Sequence, residues 1–360
     1  MVMIMKITSI ILILFVAIGA QGAYLTNDYE GQEIQIEKRP FSPPPRYYPE
    51  PPDNPFYKYL DDVYIGHPEH FEHMEIYPLY LNNPDTFPYY SMDQAGSKIR
   101  VSEIESWGIE KVRITNKSNN YVFIAGGQLI TGGRQNRLLS EDILIGPHSE
   151  IAVSDVYCIE ELRSTGTKDY FEFSPYMGGR SMRNSANSKA TQQTIWNTVN
   201  KTSERYEAKS PTKDYHMVFD TPELKKQYDK YYHGISRRHF RKSVGMVVAW
   251  KGQIIGAELF SNPDLFRQYY KKLLYSYLVD CPKEFHHNKM RPVTTQHTVQ
   301  EWLESGLNAK LTDEYTPGEG TKWHIEGARY SGTVLIHRKK LTHVTLYPKK
   351  LFLHDERRYK

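Results

Sequence analysis

Residues 126–163 combine short apolar runs with an unusual density of polar side chains, in the order GGQLITGGRQNRLLSEDILIGPHSEIAVSDVYCIEELR. Guanidinium groups bind phosphate or carboxylate through paired N–H donors, and side-chain amides recognise hydroxyl and amide groups. This composition predicts a binding site for a small anionic ligand. The predicted ligand-binding residues are Gln128, Arg134, Gln135, Asn136, Arg137 and Arg163.

Glu160 is the one acid in this stretch that we consider as a catalytic general base. Its arginine neighbours favour the ionised carboxylate, which weakens it for proton abstraction. The residues therefore favour binding over acid/base catalysis. A purely structural alternative stays open, because buried networks such as Arg137, Glu160 and Arg163 also lock sheet edges and loops together.

Further polar residues could support the same cleft. Glu258 lies in a predicted hairpin, and His324, His337 and His343 lie near the end of the chain. The alternative for each is a lone polar residue on a strand surface. Cys158 is flanked by apolar residues, so a buried thiol is favoured over an exposed nucleophile.

Several common site types are missing from the sequence. It contains no HExxH, GxSxG, Walker-type, CxxC or strand-following GxGxxG pattern, so no metal site is predicted and no cofactor is specified. The formal net charge of +4 does not by itself imply nucleic acid. Residues 225–242 are basic and aromatic, but a solvated connector is favoured over a nucleic-acid site.

The elements that must position these residues are mainly strands. From Met74 onward, short runs rich in Val, Ile and Tyr alternate with turn residues, which predicts antiparallel sheet in a sandwich-like first half. The second half is predicted to add a β-hairpin, VGMVVAW-KG-QIIGAELF, and two to three packed helices, giving an α+β fold. The helices are expected over residues 189–206, 263–279 and 299–307, and residues 164–188 are expected to form a long loop.

The chain start has the layout of an export signal. Lys6 precedes an apolar run, and small residues follow it, so residues 1–22 are predicted to be a signal peptide cleaved after Gly22. An uncleaved membrane anchor is the alternative. We therefore expect a secreted or periplasmic protein that does not span the membrane after cleavage, in which Cys158 and Cys281 could form at most one disulfide.

The predicted organisation continues with a Pro- and Tyr-rich arm or linker at residues 23–70. A single domain at residues 71–348 and a charged tail at residues 349–360 complete the chain. The arm is a candidate docking strip for a partner protein of the cell envelope.

Five segments, taken in order, resemble a known family. GGQLITGGRQNR, SDVYCIEELR, QQTIWNTVN, GMVVAWKGQIIGAELFSNPDLFRQYYKKLL and TVLIHRKKLTHVTLYP together resemble the prokaryotic domain associated with ADP-ribosylglycohydrolase and rhodanese-phosphatase superfamily proteins. The resemblance covers residues 74–347. The family's glycine-rich and cysteine-containing motifs correspond to Gly127, Gly132, Gln135, Asn136 and Arg137, and to Cys158, Glu160 and Arg163. Ser164 replaces the tryptophan that usually follows, which removes a potential aromatic wall.

The resemblance implies a role linked to ADP-ribose or NAD by association. Together with the predicted ligand-binding residues, it predicts a protein that binds an anionic nucleotide-like or sugar-phosphate ligand. In one variant of the hypothesis the protein also hydrolyses this ligand. The alternative is a non-catalytic interaction or structural protein of the cell envelope. The sequence does not decide whether the protein is an enzyme.

Overall fold

The computed structural model describes residues 54–104, 111–163, 168–235, 240–281 and 293–349. The predicted signal peptide, residues 23–53 of the predicted arm, and residues 350–360 of the tail lie outside these ranges. The helices are α1 (Pro55–Asp62), α2 (Met92–Ala95), α3 (Arg180–Asn187), α4 (Gln192–Arg205), α5 (Pro222–Gly234), α6 (Pro263–Leu278) and α7 (Gln296–Glu304), with 3-10 turns at Gly96–Lys98, Tyr215–Asp220 and Ser305–Asn308.

The strands fall into two groups along the chain. The first half contains β1 (Tyr64–Ile65), β2 (Glu69–Phe71), β3 (Met74–Tyr80), β4 (Tyr89–Ser91), β5 (Ile99–Glu103), β6 (Val112–Asn116), β7 (Tyr121–Ile124), β8 (Gln128–Gly132), β9 (Arg137–Leu139), β10 (Ile143–Ile145), β11 (Glu150–Val153), β12 (Val156–Cys158) and β13 (Tyr170–Met177). The second half contains β14 (Gly245–Trp250), β15 (Gln253–Phe260), β16 (Lys310–Glu314), β17 (Thr321–Glu326), β18 (Tyr330–His337) and β19 (Lys340–Pro348).

These strands form three sheets. The largest has nine strands in the order β1-β3-β14-β15-β19-β18-β17-β16, with β2 paired to β3. A seven-stranded sheet has the order β11-β6-β5-β13-β8-β9-β12, and a three-stranded sheet has the order β10-β7-β4. Nearly all pairings are antiparallel, and helices pack on the sheets, so the predicted α+β fold is confirmed. Strands from both halves share the large sheet, because β3 pairs with β14.

The β14–β15 hairpin forms where the sequence predicts it. Lys251 and Gly252 both have positive φ, 50° and 75°, the backbone that a two-residue hairpin turn requires. All six β14 residues are buried, since the strand lies in the centre of the large sheet. This hairpin holds Glu258 in the protein core.

The three predicted helices are also present. The Asn262 side chain accepts hydrogen bonds from the Asp264 and Leu265 amides, which caps α6 at its first turn. Helix α4 occupies most of the predicted range, and α7 begins three residues earlier than the range 299–307 predicts. The spacing of apolar residues therefore predicted the positions of the helices but not the residues at which they begin and end.

Two expectations about irregular segments are wrong. The predicted long loop at residues 164–188 contains β13 and α3. β13 buries Phe171, Ser174 and Met177, and α3 buries Met182, Arg183 and Ala186. The predicted solvated connector at residues 225–242 lies largely in α5, which buries Tyr228 and Tyr231. The polar composition of the two segments did not indicate these elements, because contacts with distant parts of the chain stabilise them.

The two faces of the large sheet pack against different layers. One face packs against α1 and α7 in a cluster that includes Phe56, Val247 and Trp302. The opposite face packs against α6 and the smaller sheets through Phe123 and Phe260. Polar residues of β15 and β19 face this second layer, so the fold places a polar site between the large sheet and α6.

Helix α1 lies within residues assigned from sequence to the arm. Phe56 is fully buried, and Tyr57 and Tyr59 donate hydrogen bonds to the carbonyls of Ala309 and Phe260. Residues 54–70 are therefore integrated in the domain.

Two further expectations concern the membrane and the cysteines. Within the described ranges, no helix is long and apolar enough to cross a membrane. Cys158 and Cys281 are both buried and do not form a disulfide with each other.

Candidate functional site

Arg163 joins the loop before β9 to the segment after β12. It donates from Nε to Glu160 at 2.7 Å, and from its two terminal nitrogens to the carbonyls of Gly133 and Gly132 at 2.9 and 3.1 Å. A further bond reaches Oδ1 of Asn136 at 3.0 Å. The guanidinium fork, predicted to bind a ligand, is thus directed at the protein's own backbone.

Glu160 is held on several sides. It accepts hydrogen bonds from the Asn136 amide at 3.2 Å and from the Thr212 hydroxyl at 2.7 Å, besides the bond from Arg163. Asn136 donates onward to Asp214 at 3.0 Å. We call Asn136, Glu160, Arg163 and Asp214 the loop cluster. Its bonds give Glu160 few free positions from which to accept a substrate proton.

Arg137 and Arg134 lie beside the loop cluster and share one acid. Arg134 Nε lies 3.3 Å from Glu103, and Nη2 of Arg137 lies 3.7 Å from the same carboxylate. Arg137 is 1% exposed and also donates to Gln135 and to the sulfur of Cys158, both at 3.2 Å. Burial lowers the pKa of Arg137, and its Nε has no hydrogen-bond acceptor among the described residues.

Gln128 is a link between sheet and helix. Its amide donates to the carbonyls of Ser174 and Tyr176, at 2.7 and 3.2 Å, and its oxygen accepts from Lys272 of α6 at 3.1 Å. Gln128 is fully buried. The structure therefore brings five of the six predicted ligand-binding residues close together, with Gln128 further along β8 towards α6.

A second charged cluster lies in the layer between the large sheet and α6. Arg183 of α3 donates to both carboxylate oxygens of Glu258, at 2.8 and 3.1 Å, and both side chains are almost fully buried. Glu258 also accepts from Tyr277 and Thr345, at 2.9 and 3.1 Å. Burial alone would raise the pKa of Glu258, but Arg183 and His343 outweigh it and lower the pKa to about 2.

His343 connects Glu258 to a further acid. Its Nε2 lies 3.0 Å from Glu258 and its Nδ1 lies 2.7 Å from Asp142, so both ring nitrogens face carboxylates. Burial alone would lower the pKa of His343, but Asp142 and Glu258 outweigh it and raise the pKa to about 9. The ring is therefore an imidazolium at neutral pH. We call Asp142, Arg183, Glu258 and His343 the ion cluster.

The ion cluster is not arranged as a metal site. The two acids lie on opposite nitrogens of the imidazole ring, so one ion could not contact both of them and the ring. More generally, the described part of the chain has no group of three His, Cys, Asp or Glu side chains suited to a metal ion.

Gly126 and Gly127 connect the ion cluster to the loop region. The Gly126 amide donates to Asp142 at 2.8 Å, and its carbonyl accepts from Nε of Arg183 at 3.0 Å. Gly127 has φ +97°, and a Cβ there would lie 2.4 Å from Cγ of Arg183. Only glycine lets the backbone approach this arginine.

A narrow polar pocket adjoins the ion cluster, with room for about one water molecule. Its walls are formed by Gly126, Ser140, Glu141, Asp142, Arg183, Asn187, Thr333, Thr345 and Tyr347. Within the described part of the protein, the Tyr347 hydroxyl, the Asn187 amide and the Thr333 hydroxyl have no hydrogen-bond partner. These groups are available to a ligand.

The two acids of the pocket have different partners. Glu141 is held by Lys322, whereas Asp142 is held by His343. Burial raises the pKa of Glu141 even though Lys322 opposes it. The pocket therefore offers donors, acceptors and a carboxyl group with raised pKa.

The remaining predicted residues occupy separate places. His324 lies 3.6 Å from Glu326 on the outer part of the large sheet. His337 contacts the rings of Phe87 and Tyr121 and shares a hydrogen bond of 2.8 Å with Tyr89. Of the four candidates near the hairpin and the chain end, Glu258 and His343 are in contact, and His324 and His337 are not in contact with them.

Sequence reasoning missed Arg183, Asp142 and Tyr347. Arg183 was missed because its helix was expected to be a loop, although its spacing from Met182 and Ala186 is compatible with one buried helical face. Tyr347 could have been found, since His343, Thr345 and Tyr347 alternate along β19 and so share one face.

The chain matches the model of a known protein family. The family model of the ARG and rhodanese-phosphatase-superfamily-associated protein domain, ARPP-1, matches residues 62–347. No curated protein and no solved structure matches the chain.

Proposed function

The chain belongs to the ARPP-1 family, and we propose that it binds a small sugar-bearing ligand, of the sugar-phosphate or nucleotide class, in the polar pocket. The observation that carries this proposal is a set of side-chain groups beside the ion cluster that have no hydrogen-bond partner among the described residues: the Asn187 amide and the Thr333 and Tyr347 hydroxyls. Convergent polar groups of this kind recognise the hydroxyls of a sugar.

The ion cluster supports this role by fixing the pocket wall. Each N–H group of Arg183 is directed at Glu258, Ser276, Thr345 or Gly126, so this arginine positions other groups and does not reach for a ligand. A rigid wall reduces the entropy that binding would otherwise cost. Because the pocket holds only about one water molecule, we expect the walls outside the ion cluster to move apart when the ligand enters.

The anionic part of the ligand requires a different partner. In this proposal it is met by Arg137 and Arg134, since Arg137 Nε has no acceptor in the described ranges and Arg134 is half exposed. Against this role, Glu103 already balances part of their charge. The two halves of the proposal can therefore be tested separately.

The experiment is a thermal-shift titration of the full chain with ADP-ribose, nucleotides, sugar phosphates, neutral sugars and inorganic phosphate. A ligand that binds the native state raises the melting midpoint by mass action. We expect the shift to disappear in Tyr347→Phe and Asn187→Ala, and to weaken in Arg137→Ala. A shift lost only in Arg137→Ala would place the site beside the loop cluster, at Arg137, and no shift with any ligand would contradict the proposal.

Hydrolysis is the second candidate function, favoured by the neighbouring acids of the pocket. Glu141 has a raised pKa and could donate a proton to a leaving group, while Asp142 could orient the attacking water. With a ligand that shifts the midpoint, Glu141→Gln should keep the shift and abolish product formation in a chromatographic assay. Unchanged product formation in Glu141→Gln would exclude this role for Glu141, and a bound ligand that yields no product would leave binding as the function.

We propose in addition that the protein acts outside the cytoplasm. The apolar run after Lys6 supports export, although residues 1–22 lie outside the described ranges. Cell fractionation with N-terminal sequencing tests this, and a mature chain starting at Ala23 is the expected result. A full-length chain in the cytoplasm would contradict it.

A further inference from the structure

Arg180, the first residue of α3, carries a buried charge that has no partner. It is only 6% exposed. Within the described part of the chain it forms neither a hydrogen bond nor an ion pair. An arginine does not become neutral by losing its proton, so a buried guanidinium requires an opposite charge or several acceptors. The fold supplies none of these for Arg180 among the described residues.

Asp280 lies at the start of α3, but both of its oxygens are directed at other groups. Oδ2 accepts hydrogen bonds from the amide and the hydroxyl of Ser181, at 2.5 and 2.8 Å, and Oδ1 lies 4.0 Å from Arg205. Arg183, one turn further along the helix, is held by both oxygens of Glu258. The two arginines of α3 therefore differ, because only the charge of Arg183 is compensated.

The guanidinium of Arg180 is accessible to solvent. In the described part of the protein, the buried polar atoms that have neither a partner nor contact with solvent include Nε of Arg137 and no atom of Arg180. Since the nitrogens of Arg180 also have no partner, they are in contact with solvent. An anion can therefore reach this guanidinium, and its charge is screened less than that of a fully exposed arginine.

Arg180 lies on the face of α3 that contributes to the polar pocket. Arg183 and Asn187 line the pocket, and residues three and seven positions apart share one face of a helix. Arg180 precedes Arg183 by about 4.5 Å along the helix axis. Burial raises the pKa of Tyr347, another wall of the pocket, and the charges of Arg183 and Arg180 oppose this increase. The charge of Arg180 therefore acts on the pocket although its side chain is not a wall of it.

We propose that Arg180 binds a phosphate group, and that the ligand of the polar pocket carries this phosphate on the side nearest the start of α3. The inference rests on the proposed function for the sugar, and it adds an anion partner that is separate from Arg137 and Arg134. A guanidinium presents paired N–H donors that match the oxygens of a phosphate. A neutral sugar would leave the charge of Arg180 uncompensated.

The test compares the melting midpoint of the full chain in sodium phosphate and in sodium chloride at equal ionic strength. Phosphate that binds the native state raises the midpoint by mass action. We expect this rise in the wild type and in the control Arg113→Met, which replaces a half-exposed arginine. Arg180→Met should lose the rise, with Kd for phosphate increased at least about tenfold. Arg180→Lys keeps the charge without the paired donors and should give an intermediate rise.

Two results would overturn the proposal directly. One is the absence of any rise in the wild type, and the other is an equal rise in Arg180→Met, which would also reveal a general effect of phosphate on burial. A rise lost only in Arg137→Ala would place the phosphate at Arg137 and would equally refute the assignment.

The stability of the variants without phosphate is a second readout. Arg180→Met removes a charge that has no partner, so it should keep or raise the midpoint, whereas Arg183→Met should lower it. A lower midpoint in Arg180→Met would show that Arg180 is held by a structural partner, contrary to the proposal.

Failure of the polar pocket would look different. A rise with phosphate that no sugar phosphate exceeds would contradict the sugar site and leave the phosphate site at Arg180 in place. If both sites act, a sugar phosphate raises the midpoint more than phosphate does. Tyr347→Phe should then abolish the additional rise due to the sugar, and Arg180→Met should abolish the rise due to the phosphate.

Discussion

At the level of single residues, the Arg183–Glu258 pair is an almost fully buried charge contact of the candidate site. Each side chain is at most 1% exposed, and the pair is bidentate. Removing one partner leaves the other charge buried without compensation. The pair therefore couples the stability of the domain to the integrity of the site.

Replacing this arginine should be costly. We predict that Arg183→Met lowers the free energy of unfolding by about 3–5 kcal/mol, measured by urea denaturation. Arg113→Met is the control, since Arg113 and Glu150 form an ion pair in which both side chains are about half exposed. The control should change stability by less than about 1 kcal/mol. A similar loss of unfolding free energy in both variants would contradict the claim that breaking the buried pair is more costly than breaking the exposed one.

The ion cluster also predicts a pH dependence of stability. The pKa of His343 is raised from 6.5 to about 9 on folding, so its stabilisation is complete below pH 6.5 and is lost as pH rises through 9. The pKa of Glu258 falls from 4.5 to about 2, so its contribution is present above pH 4.5 and is lost as pH falls through 2. Stability should be greatest between about pH 4.5 and 6.5.

The measurement is the urea midpoint of the wild type and of His343→Gln between pH 5 and 10. The wild type should lose a few kcal/mol between pH 6.5 and 9, and the variant should be less stable at pH 6 with a flatter profile over this interval. A wild-type profile that matches the variant would show that His343 does not carry the dependence.

The residues of the site were only partly predictable from sequence. The sequence left open whether Arg137, Glu160 and Arg163 bind a ligand or form a structural network, and in the structure Glu160 accepts hydrogen bonds from Arg163 and from the Asn136 amide. Their partners, such as Asp214 and the carbonyl of Gly133, are distant in the chain or carry no side-chain signal. Whether these polar side chains bind a ligand or the protein's own backbone therefore depends on the tertiary structure.

At the level of elements, the Gly126–Gly127 turn determines how closely β7 and β8 approach α3. A side chain at position 127 would meet three atoms of Arg183 within 2.8 Å. The turn therefore lets the backbone pack against Arg183. The two glycines support the ion cluster although they are not members of it.

We predict that Gly127→Ala destabilises the protein by about 1–3 kcal/mol more than Gly96→Ala. Both glycines have positive φ, +97° and +52°, but a Cβ at Gly96 meets nothing within 4 Å. The comparison thus separates overcrowding from backbone strain. Thermal or urea unfolding of both variants is the measurement, and equal destabilisation would contradict the close approach to Arg183.

Elements that contain their own turn or capping residues were predictable from sequence. Elements that depend on contacts with distant parts of the chain were not. The β14–β15 hairpin and the start of α6 carry turn and capping residues within the segments themselves. Helix α3 has no hydrogen-bonding N-cap side chain, and its first turn is met by Asp280, which accepts from the Ser181 amide and is far along the chain. Strand β13 similarly depends on β5 and β8.

At the level of the whole molecule, α1 lies almost entirely before the family match, which begins at residue 62. It nevertheless buries Phe56, Tyr57, Tyr59 and Leu60 against the large sheet and α7. The folded unit of this protein therefore includes α1.

We predict that a chain beginning at Val63 is less stable than one beginning at Asn54 by roughly 3 kcal/mol or more, comparable to the loss of one large buried aromatic side chain. Calorimetry or urea denaturation of the two chains measures the difference. Equal stability would show that α1 is dispensable. A peptide of residues 54–62 added in trans to the shorter chain provides a further check, since it should restore part of the lost stability.

The pairing of β3 with β14 has a consequence for the time course of synthesis. Tyr77 of β3 pairs with Val247, about 170 residues later in the chain. A ribosome adds about 5–20 residues per second, so this largely apolar strand emerges roughly 10–30 s before its neighbour exists. During that interval β3 can pair only with the short strands β1 and β2 on one edge, and its other edge stays open, which makes this apolar segment a candidate for chaperone binding on the nascent chain.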